Sequence, residues 1–233
     1  MEIHGFLKTT LLDYPGKVAS TIFFGGCNFR CPYCHNGDLV LSPGDLPAIP
    51  KEEILSHLKK RQGILDGVCI TGGEPTLQPE LASFLTEIKN LGYEIKLDTN
   101  GSNPQTLRSL CEKKLIDYVA MDIKHAPSHY NEVCNSSAFS MEAIQESVSY
   151  LLSCRIPYEF RTTVVRELHT PEDFREIGAW IAGASTYYLQ PYKESEQVIH
   201  PIYSSYSLKE LEEIRNILLK DYLSHVEIRG IDI

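Results

Sequence analysis

No stretch of this chain approaches the about 18 continuous apolar residues that a membrane-spanning helix needs. Its opening, MEIHGFLKTTLLDYPGKV, lacks the apolar core of a secretory signal. Basic residues are scarce: 22 Lys and Arg stand against 31 Asp and Glu, a net charge of −9. That balance argues against nucleic acid as the main partner, because a phosphate backbone calls for a basic surface. Evenly dispersed cysteines are missing as well. The seven present are an odd number with three in one cluster, which argues against a secreted disulfide framework and for a reducing compartment with a metal or redox site. Low-complexity tracts, long linkers and repeated sequence are also lacking. These absences leave the expectation of a soluble, cytoplasmic protein folded as one α/β domain over 1–233, with 42% hydrophobic residues to fill its core.

What the sequence does have is a rhythm of strand followed by helix. Strands are expected at 18–24, 67–71, 93–99, 117–123, 158–165 and 186–190, from short β-rich or apolar runs. Helices are expected at 50–62, 79–92, 103–113, 140–153, 170–183 and 207–222. Apolar residues recur there at helical spacing, behind caps such as Asn103, Ser140 and Thr170 and first-turn prolines such as Pro104 and Pro171. Residues 1–17 read as an N-terminal extension, and 226–231, within a C-terminal 223–233, as a closing edge strand. Six β/α units imply parallel strands with helices outside, either a partial (β/α)6 barrel or a doubly wound open sheet.

Chemistry in such folds gathers beyond the carboxyl ends of the strands. There the sequence places GGCNFRCPYCHN (25–36), TGGEP (71–75), LDTNG (97–101), MDIK (121–124), RTT (161–163) and LQPY (189–192). The first segment carries Cys27, Cys31 and Cys34 in C-x3-C-x2-C spacing. Compact thiolate sets select zinc or iron–sulfur. Structural zinc is closed by four ligands, and no second C-x2-C exists here; His35, adjoining Cys34, is poorly placed to close the same tetrahedron. A [4Fe–4S] cluster on three cysteines instead leaves one iron open to a substrate or cofactor.

This motif, with Tyr33 before the last cysteine and GGEP after the second strand, resembles the signature of the radical S-adenosylmethionine (SAM) family. The resemblance spans nearly the whole chain and implies a partial β/α barrel with the cluster in the loop after the first strand. It also implies that SAM chelates the open iron and is cleaved reductively to a 5′-deoxyadenosyl radical that abstracts a hydrogen atom. By that match Thr71, Gly72, Gly73 and Glu74 are similar to the segment that meets the methionyl amino group, the glycines allowing close backbone approach. Tyr33 is similar to the adenine contact. The plainer reading of TGGEP is a strand-to-helix turn.

CHN (34–36), DTNG (98–101) and DIK (122–124) resemble the activases of glycyl radical enzymes. Asp98, Asp122 and Lys124 would then hold the SAM carboxylate and ribose, with a monovalent cation at Asp98, and Arg161 and Asn36 would add contacts. A surface salt bridge is the plainer reading of Asp122 and Lys124. Gln190-Pro191-Tyr192 would close the far side, and His35 would face the substrate peptide. The run 7–40 is similar to the longer anaerobic ribonucleoside-triphosphate reductase activating proteins, which implies that reductase as partner and a flavodoxin or ferredoxin as electron donor. Cys69, Cys111, Cys134 and Cys154 lack metal spacing and read as incidental thiols, so a second cluster is not expected. His125, His129, His169 and His200 likewise lack metal spacing. The alternatives are an activase of the pyruvate formate-lyase type, a radical SAM enzyme acting on a small molecule or nucleic acid, and a non-catalytic zinc or electron-carrier domain.

Overall fold

The structure, a computed structural model, describes residues 1–136 and 139–230. Eight strands lie side by side in chain order: β1 (Ile3–Thr10), β2 (Ala19–Phe24), β3 (Gly67–Gly72), β4 (Glu94–Thr99), β5 (Tyr118–Asp122), β6 (Tyr158–Val164), β7 (Tyr187–Pro191) and β8 (Val226–Ile228). All pairings are parallel except that of β1, which runs antiparallel to β2. The helices are α1 (Gly37–Leu41), α2 (Lys51–Lys60), α3 (Leu81–Asn90), α4 (Pro104–Glu112), α5 (Tyr130–Cys134), α6 (Met141–Ser153), α7 (Pro171–Trp180) and α8 (Leu208–Asp221). The six predicted β/α units appear as β2 to β7 with their following helices, their ends shifted by a few residues at most.

Three features depart from the expected outline. Residues 1–17 are more than an extension, since β1 adds an antiparallel edge to the sheet. Helices α1 and α5 are five residues each, too short to leave a periodic trace. The closing strand is three residues long, and position 231 of the expected strand lies outside the described residues.

The sheet is rolled. Neighbouring strands sit about 4.8 Å apart, so β2 and β7 would be separated by roughly 24 Å if it were flat. Yet residues from the ends of β2 and β7 line one cavity, and His35 reaches the Lys193 carbonyl at 2.5 Å.

Alternation sorts the residues of each strand onto two faces. The outer face carries Ile22, Phe24, Val68, Ile70, Ile95, Leu97, Val119, Met121, Phe160 and Leu189, all fully buried in the core. Residues such as Phe84, Ile88, Leu107, Val148, Phe174 and Leu218 on the surrounding helices are buried in the same core. Fully burying one such side chain is worth roughly 1.5–3 kcal/mol. The inner face is polar. Register places Cys69 beside Lys96, Asp98 beside Ala120, and Asp122 beside Arg161. Below the rim, Glu159 is fully buried and accepts from the two terminal guanidinium nitrogens of Arg229, at 2.7 and 3.0 Å, and from the Tyr118 hydroxyl at 2.9 Å.

Candidate active site

The cysteine loop leaves β2 through Gly25 and Gly26 and is tied down on several sides. Gly26 N donates to Leu39 O at 2.8 Å and Arg30 N to Cys134 O at 2.8 Å. A strap formed by residues 193–200, after β7, adds Gly37 N to Gln197 O at 3.1 Å, Ile199 N to Cys34 O at 3.3 Å and His200 N to Pro32 O at 2.9 Å. His35 Nε2 donates to Lys193 O on the same strap. The turn after β3 presses on the root of the loop. A Cβ on Gly73 would lie 2.0 Å from the Gly26 carbonyl oxygen, and Gly72, at φ +117°, would meet the Phe24 backbone at 2.3 Å. Both positions therefore require glycine. The close approach that they permit is of chain to chain.

Cys27, Cys31 and Cys34 line one cavity, together with Tyr33, His35, Asn36, Thr71, Gly72, Gly73, Asp98, Asp122, Lys124 and Arg161. Burial pushes the Cys27 thiol up to about 12 and raises that of Cys34. The Cys31 thiol moves down because that of Cys134 hydrogen-bonds to it. Cys134 is fully buried and stays off the cavity lining, a neighbour that no spacing in the sequence announces. Thiols that resist ionisation on their own ionise when a metal supplies the compensating charge. Phe29 N–H points at Cys27 Sγ from 3.3 Å and the Asn100 amide from 3.8 Å, the type of donor that supports cluster thiolates. Three thiols on one loop with such donors fit a [4Fe–4S] cluster with one iron lacking a protein ligand. His35 Nε2 is committed to the strap rather than turned toward the thiols.

Facing the cysteines is a charged floor made by the inner faces of β4, β5 and β6. Arg161 Nε meets Asp122 Oδ1 at 2.9 Å, and its terminal nitrogen meets Asp98 Oδ2 at 3.4 Å. Lys124 Nζ meets Asp122 Oδ2 at 3.0 Å, and Lys96 Nζ meets Asp98 Oδ1. Burial alone would raise both carboxyls. Burial is the largest single influence, but Arg161 and Lys124 together hold Asp122 down at about 2, and Arg161 and Lys96 together hold Asp98 below the usual carboxylate range. Burial opposes the charge on Lys124 most strongly, but Asp122, Cys31 and Tyr33 together more than offset it and the ammonium is held well above its ordinary value. The floor thus carries three cations against two anions, Lys96 being the member not singled out from the sequence. A surplus positive charge inside a polar cavity suits a ligand carboxylate.

Glu74 lies behind the cavity. It is fully buried, and its carboxylate accepts from Thr76 N (3.1 Å), Thr76 Oγ1 (2.6 Å), Thr99 Oγ1 (2.8 Å) and Asn100 N (2.7 Å). Burial raises its carboxyl, and these donors partly counter the rise. Its side chain thus joins the turn after β3 to the turn after β4. Asn36 donates from Nδ2 to Gly72 O at 2.9 Å. The Tyr33 hydroxyl donates to Lys124 O at 3.4 Å, and His169 Nε2 donates to the same carbonyl at 3.0 Å.

Behind Lys124, His125, His129 and Asp173 bring one ligand atom each to within 4.8 Å of one another. Both nitrogens of His125 are engaged: Nδ1 accepts from Ala126 N at 2.8 Å and Nε2 donates to Leu168 O at 2.6 Å. His125 stacks on His169 at 4.7 Å, and burial drives His169 down to about 4, leaving it neutral at physiological pH. The Lys124 backbone is propped not by this cluster but by His169 and Tyr33 at its carbonyl and by the Tyr130 hydroxyl, which accepts from its N–H at 3.2 Å.

A family model described as the radical SAM superfamily matches residues 21–181, from β2 past α7. A protein of Methanocaldococcus jannaschii named as a candidate glycyl-radical enzyme activating enzyme is 30% identical over 99% of this chain and 96% of its own. The pyruvate formate-lyase-activating enzyme of Clostridium pasteurianum is 36% identical over 53% of this chain, which spans about half (52%) of that protein. Among solved structures, Streptococcus suis SuiB bound to S-adenosylmethionine superposes with a TM-score of 0.69 over 90% of this chain and 52% of its own. At 16% identity that likeness speaks for the fold alone.

Proposed function

The chain belongs to the radical SAM superfamily, and on that premise we propose that it is an activase that takes a hydrogen atom from a glycine of a partner enzyme. The observation that carries this reading is the match to a candidate glycyl-radical enzyme activating enzyme along 99% of the chain. The family's chemistry, supplied by a [4Fe–4S] cluster together with SAM, is reductive cleavage of a sulfonium C–S bond to a 5′-deoxyadenosyl radical. The protein's share is to hold and orient the reacting groups.

Cys27, Cys31 and Cys34 hold the cluster. Lys124 and Arg161, fixed by Asp122 and Asp98, offer positive charge to the methionyl carboxylate. Thr71, Gly72 and Gly73 present backbone to the amino end, and Asn36 pins that turn through the Gly72 carbonyl. Tyr33 bounds the adenine side. Glu74 acts through the two turns that it joins, because its lone pairs are taken up by Thr76, Thr99 and Asn100. In this reading the target hydrogen arrives at the cavity that His35 helps to line. A glycine suits that position: with no Cβ, its radical flattens between nitrogen and carbonyl.

The partner in this reading is anaerobic ribonucleoside-triphosphate reductase, supported by the similarity of residues 7–40, and the electron donor is a flavodoxin or ferredoxin. The test is anaerobic reconstitution followed by electron paramagnetic resonance with purified reductase or pyruvate formate-lyase. A glycyl radical signal with the reductase is expected. A signal with the lyase alone reassigns the partner, and turnover of a small molecule with no protein partner overturns the activase reading.

A further inference from the structure

The floor of the cavity contains a cation that the resemblance to activases does not anticipate. Lys96 is 1% exposed, inside the rolled sheet, where a lysine is costly unless it is paired. Its ammonium meets Asp98 Oδ1 and lies 3.8 Å from Cys69 Sγ, its register neighbour on β3. The other oxygen of Asp98 faces Arg161 at 3.4 Å. Both carboxylate oxygens are thus engaged by cations of the chain itself. An alkali cation at Asp98 would have to share them with an ammonium and a guanidinium. It would also raise the floor from three cations over two anions to four over two. The donor set does not fit that ion.

We propose that the Lys96 ammonium stands where a monovalent cation would sit, so that SAM binds this protein without sodium or potassium. Lys96 is a positioning residue in this scheme. It neutralises and orients Asp98, and through Asp98 it holds Arg161 at the angle at which the guanidinium also engages Asp122. The sequence logic is compact. K-x-D on β4 puts ammonium and carboxylate on one face, and D-x-K at the end of β5 puts a second such pair on the adjacent strand, with Arg161 bridging the two. The inference rests on SAM occupying this floor.

The test is the SAM dissociation constant of the anaerobic, cluster-loaded enzyme, measured by equilibrium dialysis. The buffers contain tetramethylammonium, too bulky for such a site, with or without added potassium or sodium. Wild type is expected to bind SAM equally in all of them. Lys96→Met is expected to bind at least about tenfold more weakly in tetramethylammonium, the scale of one lost charge-assisted hydrogen bond. Added potassium is expected to recover much of that loss. Potassium-dependent binding by wild type overturns the proposal, as does undiminished binding by K96M or a loss that no alkali cation restores. Should K96M not fold, the wild-type comparison still decides. Failure to bind SAM in every buffer would overturn the cofactor assignment instead.

Discussion

The outer and inner faces of the sheet are drawn from the same strands, residue by residue in alternation, and obey opposite rules. On β4, Ile95 and Leu97 point outward into an apolar core, while Lys96 and Asp98 point inward as an ion pair. On β5, Val119 and Met121 face out, and Asp122 faces in. The outer face stabilises the protein by area. It tolerates changes that keep volume and is sensitive to cavities. The inner face gains little net stability from its ion pairs, because desolvation consumes most of their attraction. What it provides is a charge pattern held ready before the ligand arrives.

Substitutions can break or sharpen this contrast. The largest effect is expected at the inner rim: Cys34→Ser removes one of the three proposed cluster ligands, and SAM cleavage is expected to fall to background while urea unfolding of the cluster-free chain changes little. Asp122→Ala comes next, because it leaves Lys124 without its carboxylate and Arg161 with Asp98 alone. A loss of about 3–5 kcal/mol is expected in urea titration, accompanied by weaker SAM binding. Leu97→Ala on the outer face is expected to cost about 3 kcal/mol through its cavity. SAM affinity of the folded fraction should stay unchanged; an equal loss of affinity would dissolve the distinction between the faces.

Acidity gives a further handle. His169 is neutral in the native state, with its folded value depressed to about 4 by burial. Its contribution is therefore complete above the unfolded value near 6.5 and is lost as pH falls toward 4, an effect of the order of 3 kcal/mol. Urea midpoints taken from pH 7 to pH 4 should fall more steeply for wild type than for His169→Gln. The smallest effect is expected at a helix start. Thr170→Ala breaks the capping box of α7, in which Thr170 Oγ1 accepts from Asp173 N, and costs about 1 kcal/mol.

Much of this architecture is legible in the sequence because its signals are local. Asn103, Ser140 and Thr170 each accept a hydrogen bond at the start of their helix. The polar strand ends stand out because they interrupt apolar runs. Strand β1 escapes notice because it is an edge strand with exposed Lys8 and Thr9 and little alternation. Lys96 escapes for a different reason. A lone lysine in a strand reads as a surface residue, and only the register beside Cys69 and the roll of the sheet turn it inward. The hydrogen bonds of Glu74, the place of Cys134 beside Cys31 and the strap over the cysteine loop are likewise products of distant segments meeting.

The strap also has a consequence in time. Ile199, which donates to the Cys34 carbonyl, follows it by 165 residues (199 − 34). At roughly 5–20 residues per second of synthesis, the three cysteines leave the ribosome about 8–33 seconds before their last backbone partners. Throughout that interval the loop lacks the contacts that the strap adds. Iron and sulfide delivered then would meet a loop not yet closed by its strap, so durable loading of the site is expected after the chain is finished.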